Sequence, residues 1–332
     1  MHTLSLWGEA ENRSFFITGG TGFFGMWLLE SLAFINDAAG LNLKVFVLTR
    51  NPEWFRQKAP HLTSRTNVHL IPGDLCDFQM NPLCIDYFIH AGGPPHANSS
   101  LGAPDNVQET IVRGTERVLK LAQQCNVKKL LFISSGAVYG EHASVLARPT
   151  EKLARFGSPL SSVSAYGESK LAAEHLCNTQ GQKHGYETKI ARCFTFIGPH
   201  LPLDRNFAAG NFIRDVVAGN SVKVTGDGAS VRSYLYASDL VIWLWTILFQ
   251  GFPHEIYNVG SEKEISVRDL AFLIANAAGN HLPVEMSENI AGISRSSRYV
   301  PSCEKARLQL NLREHISLPE AIHKFMQWLA KT

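Results

Sequence analysis

The sequence lacks the features that mark several large classes of protein. Its 332 residues hold 31 lysines and arginines against 29 aspartates and glutamates, and a formal net charge of +2 argues against a nucleic-acid-binding surface. Its six cysteines are scattered without a C-x-x-C pair, so we predict no metal site and no thioredoxin-type chemistry. The most apolar segment, LVIWLWTILF at 240–249, is too short to span a bilayer, and the N-terminal MHTLSLWGEAENRSFF has no signal-peptide pattern. We therefore expect a reduced, cytoplasmic protein with no membrane contact.

The chain does contain a regular alternation of strand-like and helix-like segments. Apolar runs predict strands at 14–20, 44–50, 68–74, 87–93, 129–135 and 188–198, with helical patterns between them at 24–36, about 106–126 and about 163–184. This rhythm predicts an α/β fold with a Rossmann-type, doubly wound parallel sheet.

After Gly198, glycine, proline and polar residues become frequent, which indicates a smaller C-terminal lobe that binds the substrate. We place the larger domain at 12–198 plus about 236–252. The lobe is predicted to comprise 199–235 plus 253–332.

A glycine-rich turn, TGGTGFFG, joins the first predicted strand to the first predicted helix. Gly19 permits a tight turn, Gly22 lets a pyrophosphate approach the backbone, and Gly25 lets helix and strand pack closely. The helix N-terminus offers free N–H groups to the phosphates. The pattern predicts a dinucleotide site that also includes Thr21, Phe23 and Phe24.

The second strand ends in Thr49 and Arg50, where NAD-binding folds usually carry an acidic residue for the ribose hydroxyls. A guanidinium attracts a 2′-phosphate, so we predict that NADP(H) is preferred, with NAD(H) as the alternative if Arg50 is only a solvated loop charge. Asp74 is predicted to contact the adenine, unless it is a simple turn carboxylate. Leu75, Ala91 and Gly92 complete the predicted cofactor set.

The segment SAYGESK places Tyr166 and Lys170 four residues apart near the start of a helix, which puts both side chains on one face. An adjacent ammonium, helped by a cationic nicotinamide, favours the phenolate and should lower the tyrosine pKa from about 10. Ser135, at the end of the strand in FISSGAVYG, supplies a hydroxyl partner. We predict that Ser135, Tyr166 and Lys170 form a catalytic set.

With these motifs the chain resembles the extended short-chain dehydrogenase/reductase family, in the branch that acts on nucleotide-linked sugars. The matching elements are TGGTGFFG, GDL, FISSGAVYGE, YGESK, RCFTFIGP, GDGASVRSYLYASDL and YNVGS. The resemblance implies that Ser135, Tyr166 and Lys170 are catalytic and that Lys170 also holds the nicotinamide ribose. It further implies that Arg232 binds the substrate diphosphate.

The remaining substrate-binding candidates follow from the same resemblance. Arg298 resembles a second diphosphate ligand, with a surface charge as the alternative, and Thr195 stands where relatives often have Asn. Ser135, Gly136, Ala137 and Asn211 complete this predicted substrate set. A nucleotide-diphosphate sugar is the implied substrate.

The residues after Ser135 bear on the reaction. Relatives that dehydrate or decarboxylate the sugar carry acidic residues there, whereas this chain has Gly136 and Ala137, so those reactions are disfavoured, although Glu141 and Glu168 are nearby carboxylates. A 4-keto reductase using NADPH is preferred because of Arg50, and a 4-epimerase that retains its cofactor is the alternative. A non-catalytic NADP(H)-binding protein is disfavoured because Tyr166 and Lys170 are both present. His90 and His96 lie near the nicotinamide position, and His96 is a candidate proton donor.

A homodimer is also expected. The helices at 106–126 and 163–184 resemble the pair that relatives join into an intermolecular four-helix bundle. The apolar positions that would serve core and interface are Val112, Val118, Leu119, Leu121, Leu171, Ala172 and Leu176.

Overall fold

The computed structural model describes residues 4–81, 84–93, 104–140, 148–154, 164–204, 207–277, 282–286 and 297–331. In chain order the strands are β1 (Ser14–Thr18), β2 (Lys44–Thr49), β3 (Val68–Pro72), β4 (Tyr87–His90), β5 (Lys129–Ser135), β6 (Glu187–Cys193), β7 (Phe196–Ile197), β8 (Val222–Val224), β9 (Val231–Ser233), β10 (Leu235–Tyr236), β11 (Glu255–Val259), β12 (Glu264–Ser266), β13 (Val284–Met286) and β14 (Arg298–Tyr299).

The helices are α1 (Phe23–Ala39), α2 (Pro52–Lys58), α3 (Pro60–Thr63), α4 (Pro104–Gln124), α5 (Ala165–His184), α6 (Ala208–Val217), α7 (Ala237–Gln250), α8 (Val267–Ala277), α9 (Glu304–Leu310) and α10 (Leu318–Leu329). Short 3₁₀ turns occupy Leu4–Ala10 and Gly136–Tyr139. No helix in the described ranges is long and apolar enough to cross a membrane.

Seven strands form a single parallel sheet in the order β3-β2-β1-β4-β5-β6-β11. The predicted α/β, Rossmann-type fold is confirmed. One predicted boundary is wrong. The lobe was expected to begin again at residue 253, but β11 pairs with β6 in the central sheet, from Glu255 opposite Lys189 to Val259 opposite Cys193.

The sheet is covered on both faces because its strands are apolar on both sides. All five residues of β1 are buried. Phe15 and Ile17 face a cluster with α1 and α7, whereas Phe16 faces α4 and α5. This alternation follows from the two-residue period of a strand, and the two-sided burial is what a parallel sheet requires.

A second cluster of small sheets lies in the C-terminal part of the chain. The strands β12, β9 and β14 form a three-stranded sheet, and β8 pairs with β13. Helices α6, α8 and α10 pack around a core that includes Phe212, Ile274 and Phe325. The register places Tyr299 of β14 directly beside Arg232 of β9, so these two residues are lateral neighbours.

Helices α4 and α5 pack side by side on the sheet. Of the apolar residues predicted to serve core and interface, four are buried within the chain itself, namely Val118, Leu119, Leu121 and Leu171. Val112, Ala172 and Leu176 are only partly buried.

Candidate active site

The candidate site lies where the direction of strand addition reverses, between β1 and β4. In open α/β sheets ligands bind at this switch point, beyond the carboxyl ends of the strands. The turn after β1, the end of β4 and the end of β5 all meet at this edge because the strands are parallel and adjacent. These segments carry the predicted glycine loop, the Ala91–Gly92 pair and Ser135.

The glycines of the loop differ in what surrounds them. Gly19 has φ +70°, and a Cβ there would lie 2.5 Å from the Ala91 carbonyl oxygen. A Cβ on Gly25 would lie 2.3 Å from the Gly19 carbonyl oxygen, so α1 packs directly on the loop. For a Cβ on Gly22 the nearest atom, the Gly19 carbonyl oxygen, would be 3.5 Å away.

Gly22 is also the residue that precedes α1, and the N–H groups of Phe23 and Phe24 fall in the first helical turn, where no helix carbonyl can accept them. The open face at Gly22 and these N–H groups fit a dinucleotide pyrophosphate.

Two cations flank this loop. Arg50 follows β2, is exposed and has no hydrogen-bond partner among the described residues. Lys58, at the end of α2, donates from Nζ to the Thr21 carbonyl oxygen over 2.9 Å, and partial burial lowers its pKa. The described residues place no carboxylate against either of them. Sequence reasoning missed Lys58, because nothing in the sequence indicates that α2 turns its last residue back onto the glycine loop.

Asp74 and Leu75 follow the end of β3 at Pro72. One carboxylate oxygen of Asp74 accepts the backbone N–H of Cys76 over 3.1 Å, and its carbonyl accepts that of Phe78 over 2.9 Å. These bonds give Asp74 a turn-forming role, while its contact with adenine stays a prediction. Leu75 packs on α4 at Gly114, where a Cβ would lie 2.6 Å from the leucine.

His90 is buried in a directional hydrogen-bond chain. Thr115 donates to the Ile111 carbonyl over 2.7 Å, so its oxygen accepts from His90 Nε2 at 3.1 Å. His90 Nδ1 then accepts from Thr18 Oγ1 at 2.8 Å, and that oxygen accepts from the Gly92 N–H at 2.9 Å. Burial and the nearby Lys170 lower the pKa of His90 to about 3. The His90 ring is therefore neutral, and its hydrogen bonds link β4 to β1 and α4. His96 lies outside the described residues.

The structure brings Ser135, Tyr166 and Lys170 together. The hydroxyl of Tyr166 hydrogen-bonds to Ser135, and Ser135 Oγ also accepts the Ala137 N–H over 3.2 Å. Lys170 Nζ donates to the Ile133 carbonyl over 2.9 Å and lies 5.9 Å from the centroid of the Tyr166 ring. A Cβ on Gly93 would lie 4.0 Å from this ammonium, which places Lys170 next to the end of β4.

The Tyr166 pKa is not lowered in the protein alone, and its lowering with a cationic nicotinamide bound stays a prediction. Burial raises the pKa of Tyr166 to about 12, and the hydrogen bond with Ser135 offsets only part of that rise. Burial likewise lowers the pKa of Lys170 to about 8. Both effects have one cause, since the low-dielectric interior disfavours a phenolate and an ammonium alike.

A buried ion pair next to the candidate site holds α5, the helix that carries Tyr166 and Lys170, to the sheet. Arg192 on β6 is fully buried and bonds to Glu174 on α5 over 2.7 Å, and it also donates to the Ala154 carbonyl over 2.8 Å. Glu174 accepts from Ser134 Oγ at 2.5 Å, directly before Ser135. Because Glu174 follows Lys170 by one helical turn, this network fixes α5 against the end of β5.

The predicted substrate-binding residues differ in whether a carboxylate already pairs with them. Arg232 donates to the Ser297 carbonyl oxygen over 2.8 Å and to Ser297 Oγ over 2.9 Å, and no carboxylate among the described residues pairs with it. Arg298 forms an ion pair with Glu264. A diphosphate would have to displace this carboxylate, so Arg232 is the better candidate. The hydroxyl of Thr195 donates to the Ser233 carbonyl.

Asn211 lies in the C-terminal lobe at a polar cavity. Its Oδ1 atom is buried without a partner in the described structure. The cavity has a volume of about 480 Å³ and is lined by Asn211, Arg214, Asp215, Asn220, Ser221, Lys223 and Thr225. Amide, hydroxyl and cationic groups of this kind suit the polar parts of a nucleotide.

Apart from Glu174, which is bonded to Ser134 and Arg192, the described residues place no carboxylate next to Ser135. Glu168 is exposed, whereas Tyr166 and Lys170 on the same helix are buried, and Glu141 lies outside the described residues. A Cβ on Gly136 would lie 2.6 Å from the Tyr299 hydroxyl. Sequence reasoning missed Tyr299, although it directly follows the predicted Arg298. Among the described residues no group of three or more His, Cys, Asp or Glu side chains is arranged to hold a metal ion.

The parallel sheet and its glycine turn form a dinucleotide-binding fold that the chain shares with solved structures. Residues 15–260 match the model of the NAD dependent epimerase/dehydratase family, and the chain belongs to this family. The resemblance read from the sequence motifs is thereby confirmed.

Individual relatives differ in the reactions their names describe. UDP-glucuronic acid decarboxylase 1 of Arabidopsis thaliana is 29% identical over 312 residues, which are 93% of this chain and 68% of the relative. A dTDP-glucose 4,6-dehydratase of Streptomyces antibioticus is 27% identical over 267 residues, covering 79% of this chain and 76% of the relative.

Two solved structures share the fold along nearly the whole chain. An epimerase of Methanothermobacter thermautotrophicus has a TM-score of 0.83 at 21% identity, covering 100% of this chain and 96% of the other. A dTDP-glucose 4,6-dehydratase of Streptomyces venezuelae, solved with NAD bound, has a TM-score of 0.78 at 22% identity. The match covers 96% of this chain and 98% of the other. The family description and this structure both name NAD, so the comparisons do not support the predicted NADP(H) preference.

Proposed function

We propose that this enzyme reduces the 4-keto group of a nucleotide-linked 6-deoxy sugar with NADPH. The observation that carries the proposal is a serine, tyrosine and lysine cluster whose one described carboxylate neighbour, Glu174, is already paired with Arg192. Among the described residues, dehydration and decarboxylation therefore lack an unpaired carboxylate that could transfer a proton at this position.

The side chains have distinct roles in this reaction. Bound NADPH would supply the hydride to the C4 carbon. Tyr166 gives its hydroxyl proton to the C4 oxygen as a general acid. Lys170, which lies near the Tyr166 ring, favours the phenolate that Tyr166 becomes, and Ser135 holds the Tyr166 oxygen. Buried and neutral, His90 takes no part in proton transfer.

Cofactor choice rests on Arg50 and Lys58. The 2′-phosphate of NADPH would bring a double negative charge close to the end of β2, where an acidic residue would repel it. Arg50 offers a guanidinium with no described partner, and Lys58 is held on the glycine loop. Opposite charge and directed N–H groups favour the phosphorylated cofactor. NAD(H) is the alternative, in line with the family description.

Replacing Arg50 by Ala should weaken NADPH binding by roughly 1.5–3 kcal/mol, the range for a hydrogen bond to a charged group, and leave NADH binding nearly unchanged. Titration calorimetry with both cofactors measures this. Arg56→Ala is the matched control, because Arg56 is on the neighbouring helix α2 and is already paired with Glu53. Equal affinity of the unaltered protein for NADPH and NADH would refute the cofactor proposal.

We propose that the nucleotide-diphosphate end of the substrate binds to the C-terminal lobe. Arg232 faces the diphosphate, and the polar cavity at Asn211 receives the nucleotide. Support for this substrate class comes from the relatives, whose names specify UDP- and dTDP-linked sugars. The chain is further proposed to form a homodimer through α4 and α5, with Val112, Ala172 and Leu176 partly exposed for that contact. Sedimentation velocity at micromolar concentration tests the dimer.

A second candidate is a 4-epimerase that retains its cofactor. A bound nicotinamide cofactor would accept and return the C4 hydride, and the same three residues would move the proton without a carboxylate, so the site suits this reaction equally well. The observation that favours it is the NAD named by the family description. The two candidates differ in net cofactor use, since the reductase consumes one NADPH for each sugar and the epimerase consumes none.

A further inference from the structure

The backbone of residues 91–93, which follows β4, forms one wall of the proposed cofactor site. It lies directly on the glycine turn, since a Cβ on Gly19 would lie 2.5 Å from the Ala91 carbonyl oxygen. Its other end reaches the proposed catalytic lysine, because a Cβ on Gly93 would lie 4.0 Å from Lys170 Nζ. This β4 exit segment therefore connects the proposed phosphate end of the site to the proposed nicotinamide end.

Thr18, the last residue of β1, holds the β4 exit segment with its side chain. Its Oγ1 accepts the Gly92 N–H over 2.9 Å, and its carbonyl oxygen accepts the Ala91 N–H over 3.3 Å. A Cβ on Gly92 would lie 2.9 Å from the Thr18 hydroxyl oxygen, so the backbone can approach this closely only at a glycine. The position of the segment on the glycine turn thus depends on how the Thr18 hydroxyl is oriented.

His90 determines that orientation. A threonine hydroxyl has one proton to give and two lone pairs. The acceptor of the Thr18 proton is His90 Nδ1, at 2.8 Å. His90 Nε2 carries the ring proton, because its partner Thr115 Oγ1, at 3.1 Å, gives its own proton to the Ile111 carbonyl oxygen. The ring therefore has a single tautomer, which holds the Thr18 proton and leaves the Thr18 lone pairs for the Gly92 N–H.

The imidazole can act on a cofactor only through Thr18. His90, Thr18 and Thr115 are all fully buried, so none of them lines the open site. The ring packs on Phe132 with 5.3 Å between the ring centroids, and this packing keeps the ring in place. A buried hydroxyl without an acceptor costs more than an average hydrogen bond contributes, so the Thr18 hydroxyl would turn away if Nδ1 were lost.

We propose that His90 is a positioning residue whose Nδ1 atom orients the Thr18 hydroxyl, so that the β4 exit segment is already in place when the cofactor binds. A preformed wall raises affinity because binding does not have to order it. The inference rests on the proposed cofactor site but not on the reaction at C4. It applies to NADPH and NADH alike, since β4 lies on the opposite side of β1 from β2, which Arg50 follows.

The test compares His90→Asn with His90→Gln in the full-length enzyme. The Asn carbonyl oxygen takes the place of Nδ1 and can accept from Thr18, whereas the Gln amide nitrogen takes the place of Nε2 and can donate only to Thr115. Both variants lose the packing of the ring on Phe132, so each is the control for the other. We expect His90→Gln to weaken the binding of both cofactors about tenfold, the loss of roughly one hydrogen bond. His90→Asn should bind both nearly normally, as measured by calorimetry.

A merely structural His90 would lower the thermal stability and the cofactor affinity of the two variants alike, so equal affinities would overturn the proposal. If either variant does not fold, Thr18→Val and Thr115→Val replace the pair. Thr18→Val removes the acceptor of the Gly92 N–H and should weaken both cofactors about tenfold. Thr115→Val leaves that bond in place and should not. Equal affinities in this second pair would refute the inference too.

The tautomer is measured without cofactor or sugar. NMR of the enzyme with ¹⁵N-labelled histidine should show His90 with a proton on Nε2 and none on Nδ1, the signal being assigned by its absence from His90→Asn. A proton on Nδ1 would contradict the direction of the hydrogen bonds and with it the inference. Failure to turn over either proposed sugar would refute the proposed function alone, because none of these measurements uses the sugar.

Discussion

Tyr166→Phe should lower the rate of the proposed reduction by about 10²–10⁴-fold, the usual contribution of general acid–base catalysis. Tyr166 is the residue that we propose protonates the sugar oxygen. His90 is neutral and fixed in its hydrogen-bond chain, and Lys170 already donates to the Ile133 carbonyl. His90 therefore cannot replace the lost proton donor.

Cofactor binding should persist in this variant, because the glycine loop, Arg50 and Lys58 are unaltered. Steady-state kinetics gives the rate and calorimetry gives the cofactor affinity. Tyr186→Phe is the matched control, because Tyr186 is buried and its hydroxyl has no partner in the described structure. A Tyr166→Phe enzyme that keeps more than about a tenth of the normal rate would exclude Tyr166 as the general acid.

Arg192→Met should lower the free energy of unfolding by about 3–5 kcal/mol, the cost of removing one partner from a buried ion pair. The substitution leaves the Glu174 carboxylate buried without its cation. It also leaves the Tyr139 hydroxyl and the Ala154 carbonyl without the guanidinium that donates to them. Urea denaturation followed by tryptophan fluorescence measures the loss.

Glu109→Gln is the control for this prediction. Glu109 forms an ion pair with Arg113 one turn away on α4, but both side chains are exposed. Such a surface pair contributes about 0–1 kcal/mol. If Arg192→Met cost no more than Glu109→Gln, the buried pair would not be what secures α5 to the sheet.

The sequence was informative where local pattern decides structure. The glycine turn is encoded by contiguous residues, and the alternation of apolar strands and amphipathic helices predicts a parallel sheet, so both were recognisable. The strand β11 was assigned to the wrong domain. Its five residues follow the excursion into the lobe, and their pairing with β6 depends on tertiary contacts that no local pattern specifies.

Residues that act across the two parts of the chain could not be predicted in the same way. Tyr299 lies beside Gly136 only because β14 pairs with β9 and the glycine leaves room for its hydroxyl. The ion pair of Arg298 with Glu264 also depends on this small sheet, and it lessens the case for Arg298 as a diphosphate ligand. The pKa of Tyr166 depends on burial, which the spacing of Tyr166 and Lys170 does not reveal.

The most direct test of the proposed function supplies the enzyme with NADPH and a nucleotide-linked 4-keto-6-deoxy sugar. Absorbance follows the cofactor while NMR follows the sugar. We expect one NADPH to be oxidised for each C4 alcohol formed, and no change when an unmodified nucleotide hexose is supplied instead. Conversion of the nucleotide hexose to its C4 epimer with no net change in cofactor would contradict the reductase and establish the epimerase.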